Sequence, residues 1–252
     1  MTKPVIQGRS TRKKGSQTEQ AVEEIKDYIR VHQLGPGDAL PTEATLVDEL
    51  GFSRSTIREA IRILGTLDIV EVRHGYGTRI GQMSLQPMLD GLVFRTISEA
   101  TQSHERLLHV VDTREALDMS LGAELCAAGD AEALAPLREL VDAMYEVSQR
   151  GESFLSEDRE FHRMLVGLTS NPLISELIGA LWHVHMQVIP ELNLSVATAD
   201  DIEDTVAAHA DILDAIADGD ENAYRDAVRR HYLPLRSMLV KAEQADQTEN
   251  DA

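Results

Sequence analysis

Four side chains of types that bind divalent metals recur at spacings that helices can bring together. Asp158 and His162 are four residues apart in a stretch with helical periodicity, so they share one helix face. His209 and His231 lie in two later helical segments, and apolar residues flank all three histidines. Three imidazoles and one carboxylate in a helical core suit Zn²⁺ first, with Ni²⁺ or Mn²⁺ as alternatives. Spacing alone equally permits core histidines that are simply hydrogen-bonded.

A second group of residues is spaced for contact with nucleic acid. Arg54 and Arg58 are four residues apart on one helix face, which Arg62 continues. The hydroxyl residues at the start of this helix are Ser53, Ser55 and Thr56. A helix N-terminus can take a phosphate, and arginines on such a face can reach guanine edges in a major groove. The alternative is a solvated polar face on which the arginines pair with Glu59.

The elements around these arginines predict a winged helix-turn-helix. Apolar periodicity and turn residues predict helices at 18–32, 43–50 and 53–67, and strands at 69–73 and 78–80. Thr42 and Ser53 are suitable N-caps, and Gly51 is a suitable helix end between them. Two short helices joined by a tight turn and followed by a β-hairpin form the outline of this domain.

Charge divides the chain into two very different parts. The formal net charge is −19, which alone argues against DNA binding. Residues 1–80 carry 12 basic and 11 acidic side chains, whereas residues 81–252 carry 12 and 32. An acidic body repels phosphate, so any DNA contact must come from the N-terminal third. Residues 1–16 contain five basic residues and no acid, and form either a disordered tail or an arm that touches phosphates.

Composition excludes several classes of protein. The single cysteine, Cys126, cannot form an intrachain disulfide, which fits the cytoplasm. The first thirty residues have no apolar stretch long enough for a signal peptide, and no segment is apolar enough to span a membrane. Aromatic residues make up only 4%, so the core must be mostly aliphatic. A secreted disulfide scaffold, a membrane protein and a fibrous repeat are excluded.

The region after the hairpin is predicted to be an all-α bundle with room for a pocket. The expected helices are 85–98, 103–128, 131–149, 152–169, 173–189, 200–217 and 220–241. The expected organisation is a basic flexible arm at 1–16, a winged helix-turn-helix at 17–80, a linker at 81–84, an effector-binding and dimerisation domain at 85–241, and a disordered acidic tail at 242–252.

The N-terminal third closely resembles the DNA-binding domain of the GntR family of bacterial transcription regulators. The matching pieces are Pro36-Gly37-Asp38, Leu40-Pro41-Thr42-Glu43, Ser53-Arg54, Arg58-Glu59-Ala60 and the wing from His74 to Gly77. The resemblance to the FadR-like branch implies that Arg54 and Arg58 contact DNA and that His74 and Gly75 enter the minor groove. This chain departs from the pattern at Ala44, where a third DNA-contacting arginine often stands.

The C-terminal region resembles the FCD effector domain over about residues 105–240. Its recognisable points are 113–117, Phe161-His162, Ser170-Asn171-Pro172 and Arg230-His231. Metal-binding members carry Asp-x3-His followed by one histidine on each of two later helices, which implies that Asp158, His162, His209 and His231 are the ligands. The acyl-CoA-responsive members lack this set, so acyl-CoA is not the expected effector.

Arg114, Asn171 and two further histidines are open to more than one interpretation. Arg114 is either a surface residue paired with Asp118 or, as the resemblance implies, a buried clamp for an effector carboxylate. Asn171 either lines the same pocket or caps the helix that begins at Pro172. His183 and His185 are two residues apart, so both cannot face one site. Either one of them touches the pocket or, as expected, each has a structural role.

The expected function is a ligand-responsive transcription regulator, and the resemblance favours a repressor. It would bind a palindromic double-stranded operator as a homodimer. A small carboxylate held by the metal and by Arg114 would change the spacing of the paired DNA-binding domains. The alternatives are a direct metal sensor and a regulator whose metal is purely structural. A metal-dependent hydrolase with Glu160 as base is disfavoured, because a tethered DNA-binding domain has no purpose in one.

Overall fold

The chain forms two compact units, residues 1–87 and 88–252. The computed structural model describes residues 16–73, 75–98, 102–192 and 198–250. The predicted fold class is confirmed, because the described residues are mostly helical and contain one small sheet in the N-terminal unit. The expected basic arm lies outside the described residues apart from Ser16. Within the described ranges, no helix is both long enough and apolar enough to cross a lipid bilayer.

The N-terminal unit consists of three helices and a β-hairpin. Its elements are α1 (Gln17–Val31), α2 (Glu43–Leu50), α3 (Arg54–Thr66), β1 (Val70–Arg73) and β2 (Gly77–Ile80). Side chains that accept backbone N–H groups start each helix: Ser16 for α1, Thr42 for α2 and Ser53 for α3. Gly51 ends α2 in the left-handed conformation, with φ of 77°, which allows the tight turn into α3.

The apolar face of α3 fixes which side of that helix remains available. Ile57 and Leu64 are completely buried in the core of this unit, together with residues of α1 and α2. Since a helix turns once every 3.6 residues, burying this face leaves the arginine face in solvent. The two strands pair antiparallel, with Val70 opposite Ile80, and these two residues close the core beneath the wing.

The remaining elements are helices that pack into a bundle. They are α4 (Gln86–Ile97), α5 (Ser103–Ser120), α6 (Gly122–Ala128), α7 (Ala131–Gln149), α8 (Leu155–Gly167), α9 (Pro172–Val188), α10 (Ala199–Asp218) and α11 (Glu221–Asn250). Helices α5, α9, α10 and α11 surround the interior, and α8 packs against α7 and α9. The buried residues are mainly aliphatic, with Phe161, Tyr224 and Tyr232 among the largest fully buried side chains.

The expected single helix at 103–128 is wrong, because the chain breaks at Leu121 into α5 and α6. The packing of α11 supplies the reason. A Cβ atom added at Gly122 would lie 2.8 Å from Cδ1 of Tyr224, so the glycine allows this aromatic ring to approach the backbone closely. The hydroxyl of the same tyrosine donates to the carbonyl oxygen of Asp118, one turn before the break.

The expected disordered tail from residue 242 is also corrected, because α11 continues to Asn250. The segment after Leu239 contains no glycine or proline, and residues with high helix propensity such as Ala242 and Glu243 extend it. Polar composition alone favoured disorder, but a long helix can continue past its packed part when no residue interrupts it.

Candidate DNA interface and metal centre

The start of α3 carries the hydroxyl residues expected to face a phosphate. Ser53 Oγ accepts the backbone N–H of Thr56 at 3.2 Å, and it lies 2.8 Å from the hydroxyl oxygens of both Ser55 and Thr56. The three hydroxyls therefore form one linked group at the positive end of the helix dipole. The structure brings the three expected residues together at the solvent-facing end of the helix.

The arginines of α3 differ in their partners. Arg54 is exposed and forms no ion pair with any described carboxylate. Arg58 Nε donates to Glu43 on α2 at 3.0 Å, although 72% of its side chain remains exposed. Arg62 pairs with Glu59, one turn back on the same helix. The contact of Arg58 with Glu43 does not follow from residue spacing, because the two residues lie on different helices.

The wing tip is formed by glycines in the left-handed region. Gly75 and Gly77 have φ values of 81° and 83°, which residues with a side chain rarely adopt. Gly75 is exposed, as a residue that enters a groove must be. His74, expected beside it, lies outside the described residues. Tyr76 is 79% exposed at the same turn and was not expected to contribute.

The four expected metal ligands converge in the interior of the C-terminal unit. Asp158 and His162 come from α8, His209 from α10 and His231 from α11. One ligand atom from each lies within 4.8 Å of the others. Asp158 Oδ1 is 3.0 Å from His209 Nε2 and 3.6 Å from His162 Nε2, and the Nε2 atoms of His162 and His231 are 3.1 Å apart.

The hydrogen bonds of His209 test whether a cation fits this cluster. Its Nδ1 lies 2.8 Å from the carbonyl oxygen of Thr205, which can only accept, so Nδ1 carries a proton. In a neutral His209 the Nε2 lone pair then faces the Asp158 carboxylate at 3.0 Å. Such a contact is repulsive unless His209 is doubly protonated or a cation lies between the two atoms.

The protonation states of two ligands suit a cation as well. Burial alone would raise the pKa of Asp158, but the adjacent imidazoles of His162 and His209 hold it well below its ordinary value. Burial, reinforced by the neighbouring histidines, lowers the pKa of His231 well below its ordinary value. The cluster thus offers an ionised carboxylate and a neutral imidazole, which are the forms that bind metal.

The separations also match a metal site. Ligand atoms about 2.1 Å from one divalent ion lie roughly 3.0 Å apart at right angles and roughly 3.4 Å apart at tetrahedral angles, and three of the atom pairs lie between 3.0 and 3.6 Å. All four side chains are largely removed from water. The residues present therefore fit a divalent metal ion in both donor chemistry and spacing.

Arg114 is buried rather than paired at the surface. Only 2% of the residue is exposed, and its guanidinium lies 5.4 Å from the ring centroid of Tyr232. Its Nη1 donates to His185 Nδ1 at 2.9 Å, and its Nε has no hydrogen-bond partner among the described residues. Among the described residues no ion pair joins Arg114 to Asp118, and Asp118 Oδ2 instead accepts the hydroxyl of Tyr232. Arg114 is a buried cation without a carboxylate partner among the described residues.

Asn171 is placed as a helix cap. Its Oδ1 accepts the backbone N–H of Leu173 at 3.1 Å at the start of α9, and the residue is exposed. It is not brought to Arg114 by any described contact. Of the two roles expected for Asn171, helix cap and pocket residue, the described contacts correspond to the helix cap.

A cavity of about 260 Å³ lies between α8 and α9, next to the metal-ligand cluster. Its lining includes the expected ligand His162, together with His183, Trp182 and Arg159. Trp182 Nε1 donates to Asp158 Oδ2 at 3.4 Å, and the guanidinium of Arg159 lies over the indole ring. Nothing in the spacing pointed to Trp182, because its partner lies 24 residues earlier, on another helix.

Comparisons with known proteins match both units. The family described as "Bacterial regulatory proteins, gntR family" matches residues 17–80, and the FCD domain matches residues 109–233. The regulator YcbG of Bacillus subtilis is 27% identical over 224 residues, covering 88% of this chain and 89% of its own. NedR of Micromonospora viridifaciens is 35% identical over 111 residues, covering 44% of this chain and 78% of its own.

A solved structure supports the same assignment. Streptococcus agalactiae GntR matches with a TM-score of 0.61 and 28% identity, over 87% of this chain and 99% of its own. The families and relatives are transcription regulators rather than enzymes, so the hydrolase alternative is set aside. The chain is a DNA-binding transcription regulator of the GntR family with a C-terminal FCD effector domain.

Proposed function

We propose that the protein is a repressor that releases DNA when a small organic acid binds its FCD domain. The observation that carries this proposal is the buried group of Asp158, His162, His209 and His231, whose ligand atoms lie within 4.8 Å of one another. Asp158 and the three histidines would hold the divalent metal, with Zn²⁺ first and Ni²⁺ or Mn²⁺ as alternatives. When bound, the ion would supply open coordination positions for a carboxylate oxygen.

Arg114 is the second anchor for the acid in this proposal. A buried guanidinium that lacks an acidic partner is costly to maintain, and a ligand carboxylate supplies the missing charge in a bidentate arrangement. The acidic surroundings of this unit would otherwise repel an anion.

The DNA side of the proposal rests on α3 and the wing. Arg54 and Arg58 contact base edges, the hydroxyls at the start of α3 contact phosphate, and Gly75 with His74 enters the minor groove. The protein acts as a homodimer on a palindromic operator, because a two-fold protein presents two such helices to two half-sites. A regulator of chromosomal genes works in the cytoplasm, where the DNA is.

Ligand binding would act by shifting a conformational equilibrium. The acid must prefer the state with low DNA affinity, since a ligand that binds both states equally shifts nothing. The differential contacts would be those to the metal cluster and to Arg114, both inside the FCD domain. The linked change in DNA affinity is then a coupling free energy between two separate sites.

A thermal-shift panel tests the proposal. The metal-loaded protein and the chelator-treated protein are each melted with small mono-, di- and tricarboxylates and with sugar acids. A ligand at a hundred times its Kd stabilises the folded state by about 2.7 kcal/mol, which is readily visible. We expect one class of acid to raise the Tm of the metal-loaded protein only.

The other outcomes separate the remaining alternatives. If no acid shifts the Tm and DNA affinity follows metal concentration, the protein is a direct metal sensor. If chelation lowers the Tm but neither acid nor metal changes DNA affinity, the metal is structural. A shift that survives chelation would show that the acid binds without the metal and would contradict the metal-mediated part of the proposal.

A further inference from the structure

The contact between Arg114 and His185 occupies part of the surface that a carboxylate would use. A guanidinium binds a carboxylate through two parallel N–H groups. In the structure, Nη1 of Arg114 is directed to Nδ1 of His185 at 2.9 Å, and Nε has no partner among the described residues. One donor of the fork is therefore taken by a side chain of α9, and another is unsatisfied.

His185 is a weak partner for a buried cation. A guanidinium has no acceptor, so His185 Nδ1 must accept, and the ring's single proton sits on Nε2. Burial first, and then the charge of Arg114, lower the pKa of His185 to about 3, so the ring stays neutral. It satisfies one N–H but supplies no negative charge. A carboxylate at the same place would supply both.

We propose that His185 is an internal stand-in for the carboxylate of the effector. It occupies Arg114 until the acid displaces it. The inference rests on the proposed function, because it concerns the same anchor. An anion displaces His185, whereas a neutral molecule of the same shape does not.

The exchange would also break a link between two helices. Arg114 lies on α5 and His185 on α9, so their bond ties these helices together in the interior of the unit. The same helix α9 carries Trp182, which donates to the metal-ligand residue Asp158. Displacement of His185 would therefore remove one polar contact between α5 and α9 close to the cluster, which gives the acid a way to shift the packing of these two helices.

Two substitutions at one position separate the stand-in from a ligand-contacting role. His185→Leu removes the acceptor, and His185→Asn keeps an oxygen where Nδ1 stands. The probes are acetate, succinate and gluconate, with succinamide as the neutral control, titrated calorimetrically into full-length protein loaded with Zn²⁺. Without its internal competitor, Arg114 should bind an acid about 10-fold more tightly in the Leu variant. The Asn variant should stay near the wild type, and succinamide should not bind.

A second measurement does not depend on the stability of the Leu variant. Nitrogen NMR of the histidine rings in the wild type reports which nitrogen of His185 carries the proton. The proposal expects a neutral ring protonated at Nε2 without acid, and a changed Nδ1 signal once the tightest-binding probe is added. An unchanged Nδ1 signal in the presence of saturating acid would overturn the displacement.

The outcomes distinguish this inference from the proposed function. If an acid binds the wild type but binds the Leu variant equally or more weakly, His185 is not a competitor, and the stand-in alone fails. If none of these acids nor any acid of the thermal-shift panel binds the wild type or either variant, the proposed function fails and the stand-in fails with it. Tighter acid binding by the Leu variant, together with a displaced Nδ1 signal, would support both.

Discussion

Arg54 and Arg114 carry the same guanidinium group in opposite surroundings. Neither forms an ion pair with a described carboxylate. Arg54 is exposed in a unit whose side chains sum to a net charge of +1, whereas Arg114 is 2% exposed in a unit of net −20. Water solvates the first at no cost until DNA replaces it. The second has lost its water, and among the described residues it is compensated by a neutral acceptor and by the ring of Tyr232.

The two units therefore differ in how their charged groups are solvated before a ligand binds. The DNA-facing unit keeps its cations solvated, so binding is dominated by charge and is sensitive to salt. The FCD unit builds a buried site in advance and therefore depends on its internal partners. Removing a partner should harm the buried site more severely than the open one.

Substitutions in the buried metal-ligand cluster should have the strongest effect, which is a loss of metal affinity. His209→Ala removes a fully buried ligand and should weaken Zn²⁺ binding more than about 100-fold, measured by competition with a chelating dye. The exposed His109→Ala, on α5 of the same unit, is the matched control and should bind metal normally. Equal metal affinity in both variants would show that the four residues do not form the site.

A substitution in the exposed DNA-binding surface should have a weaker effect than one in the metal cluster. Arg54→Ala should lower operator affinity about 10- to 100-fold in fluorescence anisotropy, through loss of a bidentate base contact and a phosphate contact. Metal content should not change, because the substitution lies in the other unit. Arg150→Ala removes an arginine from the FCD unit and is the control. Undiminished operator binding by the Arg54 variant would mean that the face of α3 with Arg54 is not the recognition surface.

The buried histidine beside Arg114 should make stability depend on pH. Folded His185 stays neutral down to a pKa of about 3, whereas an unfolded histidine gains its proton near pH 6.5. The unfolded state thus binds more protons between these values, so stability falls as pH falls, by about 1.4 kcal/mol per pH unit.

Denaturant unfolding at pH 7, 6 and 5 measures this slope. His185→Asn has no titrating group at that position, so its slope should be smaller by about that amount below pH 6. An identical slope in the wild type and the Asn variant would contradict the assignment of His185 as a buried neutral acceptor.

A substitution at Asn171 should have the weakest effect, and it tests whether this residue belongs to the buried site. Asn171→Ala removes the cap of α9 and should lower the free energy of unfolding by about 1 kcal/mol. Acid affinity should be unchanged, because Asn171 is exposed and directed to Leu173. A clear loss of acid affinity would show that Asn171 lines the effector pocket. Asn171→Asp, which keeps a capping oxygen, should retain the stability.

Short-range sequence signals predicted the elements of the N-terminal unit well. Thr42, Gly51 and Ser53 fix the helix ends through caps and a left-handed turn, and the face of α3 follows from its apolar residues. All of these contacts span only a few positions in the chain. Even there, the pairing of Arg58 with Glu43 was missed, because 15 residues and a turn separate the two.

In the C-terminal unit, periodicity predicted most of the helices and residue spacing suggested the metal ligands, but contacts between distant helices were not predictable. The resemblance implied the four ligands, and the structure brings them together from three helices. The bond between Arg114 and His185 joins residues 71 positions apart, and no local spacing encodes such a contact. The break at Leu121 and the length of α11 also depend on packing and on uninterrupted helix propensity, which periodicity does not report.

In the proposed mechanism, an acid bound beside the metal and Arg114 lowers the affinity of the protein for DNA. The anisotropy of a labelled operator, selected from random sequence by the protein itself, measures this effect during titration with the acid that the thermal-shift panel identifies. We expect the operator affinity of the metal-loaded protein to fall at least about 10-fold, and Arg114→Met to abolish this response while DNA binding without acid is kept. Unchanged operator affinity, with the acid bound to the wild type, would contradict the mechanism.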